Sequence, residues 1–331
     1  MTHRYWPLLL AAWVLLGLRP SIGQSQITPE QADQLRNVLG NRIEALTILG
    51  GDFGLSDGHY LSTEPNALGG AASRTELSVS KIGGAGDVGE PQPLGDSGIG
   101  WQPRVQGNVG FLESKNYLYG PLLQGDVSRY HNFAIQFGGG VRLWVTDALS
   151  FAPSLLGMYG HTSNDYTAVS AFARANLAYE VQQGLLDWQV DTWSVRSAMD
   201  VQYLIRWNRV IITLASDPTF FRTESFHNSA SGVRVSGDST SLANKVDLDV
   251  PLGIELYGHE VRAGGYFSRT ELYGDLKTGL DVQHVDELHA RLVLDFLHQL
   301  WKVQWLGVGT SYLWGPNIHG WTVGVDAAWR F

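Results

Sequence analysis

The amino-acid sequence predicts an all-β protein, a transmembrane antiparallel β-barrel of twelve strands with a short N-terminal helix. Three observations predict this fold class: an export signal at the N-terminus, a two-residue hydrophobic period in long segments, and connections that alternate between short and long. The 331 residues are 44% hydrophobic and 17% charged. Because a membrane barrel alternates apolar and polar residues along each strand, such a composition fits it as well as a soluble protein.

The first residues have the pattern of a secretory signal peptide. Arg4 precedes an apolar run over residues 8–18, and the small residues Ser21 and Gly23 follow it. The apolar run is shorter than the roughly 20 residues that a membrane-spanning helix needs. We therefore expect residues 1–23 to be a cleaved signal peptide and the protein to be exported.

A helix is predicted soon after the signal peptide. Thr28 can cap a helix, Pro29 suits its first position, and Gln31 completes a capping box. Apolar residues then follow at helical spacing and form one stripe: Leu35, Val38, Leu39 and Leu46. Glycine becomes frequent after this stripe, so we expect the helix to end there.

The chain is predicted to have three parts. The signal peptide is followed by an N-terminal segment with the helix, residues 24–70, and by the barrel, residues 71–331. We expect residues 27–46 of the N-terminal segment to occupy the barrel lumen.

Strict alternation of apolar and polar residues predicts the strands. It is clearest in residues 132–144, 199–207, 287–296 and 321–331. These runs match the roughly 9–11 residues of a tilted membrane strand. Strands of soluble sandwiches average about 5–6 residues, and aromatic residues would not collect at the ends of so many of them.

The connections support a barrel independently. Tight turns are predicted at 207–209, 257–259 and 298–300, and long polar loops at 222–244 and 274–285. Outer-membrane barrels have short periplasmic turns and longer outer loops. We therefore expect the two long loops to face the cell exterior.

The strand number has two interpretations. Twelve strands are counted from Ser73 if residues 187–207 form one long strand that projects beyond the membrane. The parity of the loops favours fourteen strands, with one more near 186–195 and another before Ser73. Twelve is the number adopted, and fourteen stays open.

The C-terminal residues carry a family resemblance. The chain ends on WTVGVDAAWRF, in which apolar and aromatic residues share one face: Trp321, Val323, Val325, Trp329 and Phe331. This ending resembles the assembly signal of outer-membrane barrels, although Asp326 stands where many such signals have glycine. The chain after residue 23 resembles the solitary outer-membrane autotransporter β-barrel family. This resemblance implies a translocator domain without its passenger and a barrel of twelve strands.

The same resemblance implies partners and a location. We expect a monomer in the outer membrane, in contact with outer-membrane lipid and delivered by periplasmic chaperones to the barrel assembly machinery. Its expected function is pore-forming or structural, without a cofactor or a metal.

Ionisable residues on the polar faces of the strands are predicted to point into the lumen, because a charge facing lipid at the midplane costs about 2–4 kcal/mol. These are Arg142, Arg206, Glu287, His289, Arg291, Asp295, Asp326 and Arg330. They have two interpretations: ion pairs that brace or plug a narrow barrel, or a hydrated passage that contacts a solute or a threaded segment.

An enzyme is the alternative function, since outer-membrane barrels include hydrolases of lipid and peptide. Candidate groups are His161 with Ser163 and Asp165 in a predicted loop, and His259 with Glu260 in a predicted turn. Such combinations also arise by chance in polar loops.

Metal, thiol and nucleic-acid chemistry are not indicated. Asp286 lies between His284 and His289, but alternation puts it on the face opposite Glu287 and His289. The chain has no cysteine, which removes thiol catalysis and disulfides. Its net charge of −9 without a basic patch argues against nucleic acid as a partner.

Overall fold

The computed structural model describes eight segments of the chain: residues 40–49, 56–64, 73–118, 125–171, 174, 187–228, 234–300 and 303–329. The predicted signal peptide and the predicted helix start at Thr28 lie outside them. Helix α1 spans residues 40–49. The strands are β1 (Ser56–Glu64), β2 (Ser73–Asp87), β3 (Gln92–Pro93), β4 (Gly100–Leu118), β5 (Asp126–Trp144), β6 (Leu149–Thr167), β7 (Trp188–Trp207), β8 (Val210–Asn228), β9 (Ser236–Leu256), β10 (His259–Gly274), β11 (His284–Leu300), β12 (Val303–Trp314) and β13 (Ile318–Trp329), with helix α2 at Asp275–Leu280.

The strands form a closed antiparallel ring. Strand β2 pairs with β4, each later strand pairs with the next, β13 pairs with β1, and β1 pairs with β2. Strand β3 adds only a two-residue ladder to β4. Within the described segments, twelve strands therefore close the barrel, and closure leaves no full-length free edge strand, as the membrane requires.

The number twelve is confirmed, but the ring begins with β1, before Ser73, where only the fourteen-strand interpretation had placed a strand. Strand β1 precedes both Ser73 and the predicted barrel boundary at residue 71, and it pairs through Asp57 with Val323. Its sequence SDGHYLSTE has a single aliphatic residue, Leu61, and no alternation that could reveal it. Strand β7 is one continuous strand, as the twelve-strand interpretation requires.

Alternation separates the two faces of each strand. In β5, Ile135 and Phe137 point outward and are 43% and 70% exposed, whereas Gln136 and Arg142 are 1% and 4% exposed and point into the barrel. Outward apolar side chains recur around the ring, on β2 and on β4 to β13, among them Phe111, Leu155, Met199, Leu248, Leu292 and Val308. They form the lipid-facing band.

Two of the three predicted tight turns are at the expected residues. Strands β7 and β8 are joined by residues 208–209, and β9 and β10 by Tyr257 and Gly258, which both have positive φ, as a type I′ hairpin turn requires. The third prediction was wrong by a few residues, because β11 continues through 298–300 to Leu300.

The predicted loop 222–244 was largely wrong. Strand β8 runs to Asn228 and β9 begins at Ser236, so most of that stretch is strand. The stretch 274–285 is a connection, and it contains helix α2. Strands of 19–21 residues are about twice as long as a membrane needs. Outside the lipid-facing band most outward residues are polar, so the apolar and polar alternation that marks a membrane strand is lost there.

The ring has two different ends. The two-residue turns between β7 and β8 and between β9 and β10 lie at one end, here called the inner end, together with the longer connection 88–99 that contains β3. The opposite end is called the outer end. No helix among the described residues is long and apolar enough to span a membrane.

Candidate functional site

The candidate site is the barrel interior, which contains helix α1. Six consecutive residues of this helix, 43–48, are at most 3% exposed. They contact inward side chains from strands around the ring. The helix is therefore enclosed by the strands, in the half of the barrel that lies toward the outer end.

Apolar side chains surround α1 on two sides, and together they are called the apolar collar. On one side Ile43 and Leu46 pack against Leu77, Val79, Leu112, Tyr130, Trp188, Val190 and Val235. On the other side Ala45 and Ile48 pack against Ala134, Met158, Phe221, Leu272, Leu276 and Val282. Burial of one large apolar side chain is worth about 1.5–3 kcal/mol, so Ile43, Leu46 and Ile48 hold the helix firmly.

Close backbone approach fixes the depth of α1. A Cβ atom placed on Gly160 of β6 would lie 2.5 Å from Cγ2 of Thr47. With threonine at position 47, a side chain on residue 160 would require the side chain of Thr47 or of Thr192 to shift. At the N-terminal end of α1, the Arg42 guanidinium donates to the Asn116 side chain at 2.8 Å and lies over the Tyr130 ring.

One buried acid lies between α1 and the outer end of the wall. Glu44 is 1% exposed, and its carboxyl accepts a hydrogen bond from the Ser239 hydroxyl at 3.0 Å. Burial raises the pKa of Glu44 to about 8, and Asp275 and Asp238 contribute to the increase. Glu44 is therefore mainly protonated at neutral pH.

Charged side chains replace the apolar collar toward the inner end. Arg142 of β5 is 3.0 Å from Asp87 of β2 and 3.3 Å from Asp200 of β7. Arg104 of β4 is 2.9 Å from Asp87 and 3.8 Å from Asp200. Two arginines on the neighbouring strands β4 and β5 thus lie between an aspartate on β2 and an aspartate on β7.

A second group of ion pairs covers the wall formed by β9, β10 and β11. Arg291 makes a two-point contact with Asp247, at 2.7 and 2.9 Å. Arg262 is 2.9 Å from Asp249 and also pairs with Glu260. The space between α1 and the inner end, here called the inner chamber, is lined by these two groups.

The predicted lumen residues fall in different surroundings. Arg142 and Arg291 pair within the inner chamber, whereas His289 stacks on Tyr266 and bonds Ser311. Glu287 accepts from the Tyr266 hydroxyl. Arg206 is exposed at the inner end of β7.

The remaining predicted lumen charges are less informative. Asp295 is half-buried on β11. The side chain of Asp326 and the whole of Arg330 lie outside what the structure describes. Sequence reasoning missed Glu44, Asp87, Arg104 and Asp200, whose roles depend on partners far away along the chain.

The predicted assembly signal is described in part. Trp321, Val323 and Val325 point outward and are 45–51% exposed, as the lipid face of β13 requires. The side chain of Trp329 and the residue Phe331 lie outside the described parts. The signal itself stays a prediction.

The candidate catalytic groups have other partners than those predicted. Nδ1 of His161 is 2.7 Å from Asp191 on β7, and Asp165 is 3.7 Å from His131. His161 and Asp165 lie on strand β6 instead of a loop. In the predicted turn pair, the His259 ring packs on Phe296.

Glu260, the partner of His259 in that prediction, pairs with Arg209 and Arg262. Among the described residues, no group of three or more histidine, aspartate or glutamate side chains could hold a metal ion. These contacts do not support a hydrolase site.

Comparisons with known proteins agree with the barrel. The family model for the solitary outer membrane autotransporter beta-barrel domain matches residues 60–325. The transport unit of the autotransporter AIDA-I from Escherichia coli is similar in structure, with a TM-score of 0.54, 10% identity, and coverage of 92% of this chain and 100% of that chain.

Two further solved structures are similar. The beta domain of the Bordetella autotransporter Brka gives a TM-score of 0.51 at 15% identity, with 84% of this chain and 99% of that chain covered. The translocator domain of the autotransporter NalP from Neisseria meningitidis gives 0.50 at 12% identity, with 88% and 94% covered. At such identities the likeness shows a common fold. No curated protein matches the sequence at a significant level.

Proposed function

We propose that this chain, which belongs to the solitary outer membrane autotransporter beta-barrel domain family, is a translocator-like barrel that acts without a passenger and is closed by its own helix α1. Its resting state conducts few ions. Weakening the contacts of α1 converts it into a pore.

The apolar collar is the observation that supports closure. A route for ions or an extended chain must be lined by groups that water can solvate, because dehydrated polar groups cost several kcal/mol. The wall around α1 presents leucine, valine, phenylalanine and methionine instead. Such a surface is stable only when another apolar surface covers it, and α1 supplies one.

The inner chamber supports a bracing role for its charges. Each arginine named there is within 3.0 Å of a carboxylate on another strand. An arginine paired with a carboxylate attracts a passing solute less strongly than an unpaired charge does. We therefore assign these charges to bracing of the barrel wall.

The proposal includes export and assembly. The family and the structural neighbours place the barrel in the outer membrane. We propose that residues 1–23 direct export and are cleaved, that chaperones and the assembly machinery recognise the C-terminal strand, and that the barrel is a monomer without enzymatic activity.

Conductance in planar bilayers tests the closure. The full chain is compared with a double variant, Ile43→Asp with Ile48→Asp, which puts two charges into the apolar collar. Burial of unpaired carboxylates is unfavourable, so the helix should leave the lumen. We expect rare, small conductance steps for the full chain and a large increase for the double variant.

Ser163→Asp is the matched control, because it adds a carboxylate outside the barrel, near the outer end of β6. It should conduct like the full chain. Equal, low conductance of the double variant and the full chain, with both barrels folded, would contradict closure by α1.

A further inference from the structure

We propose that a proton held between Glu44 of α1 and Asp275 of α2 locks the helix in the lumen, and that loss of this proton as the pH rises opens the barrel. The inference rests on the proposed closure by α1 and adds its regulation.

The geometry brings two carboxyl groups together. A Cβ atom placed on Gly237 of β9 would lie 2.1 Å from Oε2 of Glu44 and 2.4 Å from Oδ2 of Asp275. The two oxygens therefore face each other across the space that the missing side chain of Gly237 leaves free. Like charges at such a distance repel, and one shared proton turns the repulsion into a hydrogen bond.

The same contact joins three elements. The Ser239 hydroxyl of β9 donates to Glu44, and it accepts from the backbone N–H of Leu276 at the start of α2. The carboxylate of Asp275 in turn accepts from the backbone N–H of Asp238 at 3.1 Å. Charging this cluster therefore strains the junction of α1, β9 and α2.

The ionisable groups that face Glu44 are both acids: Asp275 from α2 and Asp238 from β9. Asp238 is 3.5 Å from Arg222 of β8, at the exposed outer end of the strands. Along β9, Gly237 and Asp238 lie nearer the outer end than Leu242 and Val246, where the apolar outward residues of this strand begin. Solvent protons can reach it once the helix loosens.

The sign of the pH effect follows from linkage. The docked Glu44 has a pKa of about 8, against an ordinary value of 4.5 for a released, solvated carboxyl. Docking therefore takes up a proton between these values. The docked state is favoured most below pH 4.5, and it loses up to tenfold in its equilibrium constant for each pH unit until about pH 8.

Bilayer conductance of the full chain from pH 5 to pH 9 tests the lock. We expect the ratio of open to closed time to rise by up to tenfold per pH unit between pH 5 and 8, and to level off above pH 8. Glu44→Gln keeps a neutral, hydrogen-bonding side chain, so this variant should stay closed at every pH. Glu271→Gln, on the outward face of β10 beside Arg269, should keep the response.

Two results would overturn the lock: a full chain with no pH response, or a Glu44→Gln variant that keeps the response. If Glu44→Gln does not assemble, Asp275→Asn replaces it. Its amide can donate to an ionised Glu44, so the pH response should shrink, and an undiminished response contradicts the proposal.

The double variant in the collar separates the two proposals. If it conducts freely while the full chain ignores pH, the closure stands and the lock fails. If it never conducts, the closure itself fails.

Discussion

Gly237 has a specific role at the scale of single residues. Its lack of a side chain makes the space in which Glu44 and Asp275 meet. Gly237 is the second residue of β9, and glycine in a strand often marks a site where other chain atoms approach closely.

Gly237→Ala should therefore weaken docking of α1. The added methyl group would overlap Oε2 of Glu44 and Oδ2 of Asp275, so at least one of the two carboxyl groups must turn away and leave the contact. We expect more frequent opening in bilayers than for the unmodified chain at the same pH. Gly84→Ala is the control, because a Cβ atom there has nothing within 4 Å. Equal opening of the two variants would count against the close contact.

Asp126 fixes a connection at the outer end. Its carboxylate accepts from the backbone N–H groups of Val169 and Ser170 and from the Tyr166 hydroxyl. Burial alone would raise the pKa of Asp126, but these hydrogen bonds outweigh it and hold the pKa below its ordinary value of 3.8.

Asp126→Ala should release the connection that follows β6. Hydrogen bonds to a charged group contribute about 1.5–3 kcal/mol, so trypsin cleavage after Arg174 should accelerate at least tenfold. Asp165→Ala, whose side chain is 70% exposed, should leave cleavage unchanged.

Because the pKa of Asp126 is lowered in the folded protein, the stabilisation that its carboxylate provides depends on pH. It is present above pH 3.8 and is lost as the pH falls through the lower pKa of the folded state. The difference in thermal midpoint between the unmodified chain and Asp126→Ala should shrink below pH 3.8. A difference that stays constant down to pH 2 would show that ionised Asp126 is not what holds the connection.

At the scale of elements, each long strand has a part inside lipid and a part outside it. In β9 the outward residues Val246, Leu248 and Leu252 are apolar, whereas Asp238 and Thr240 nearer the outer end are polar. The polar extension adds backbone hydrogen bonds between neighbouring strands but no contact with lipid.

Arginine substitutions on one face of β9 should locate the lipid boundary. Leu248→Arg puts a charge into the lipid-facing band and should cost about 2–4 kcal/mol of folding free energy in bilayers. Thr240→Arg, on the same face eight residues away, should cost far less. Urea unfolding of both variants in lipid vesicles measures the difference, and equal losses would show that the boundary is misplaced.

These elements show what the sequence could and could not predict. Alternation revealed the parts of strands that have lipid on one side and the lumen on the other. It failed in 222–244 and in β1, where apolar residues are few and do not alternate with polar ones. It also could not reveal the apolar collar, because an inward Phe221 or Leu112 has meaning only beside a helix from a distant part of the chain.

The interior site was predictable to a smaller extent. Alternation predicted Arg142 and Arg291 to point inward, but it could not predict their partners Asp87 and Asp247, which come from other strands. Such pairs depend on the register of the ring, which local sequence does not specify. Glu44 lies within the predicted helix but on the face opposite the stripe of Leu35 and Leu46, so its burial was not foreseen.

At the scale of the whole molecule, closure of the ring and closure of the lumen are linked. The chain passes from α1 inside the barrel to β1, which completes the ring between β2 and β13. The apolar collar then closes the outer half, and paired charges line the inner half. The fold thus combines a membrane barrel with a small internal core that one helix completes.

An engineered disulfide between α1 and the wall tests this account most directly. The chain has no cysteine, so Thr47→Cys with Gly160→Cys creates one defined pair, and it joins positions already in close contact. We predict that the pair cross-links in cells under oxidising conditions, whereas Thr47→Cys with Phe137→Cys, which points to lipid, does not. Two free thiols in the first pair, both reactive toward an impermeant maleimide on a folded barrel, would contradict a helix held inside the lumen.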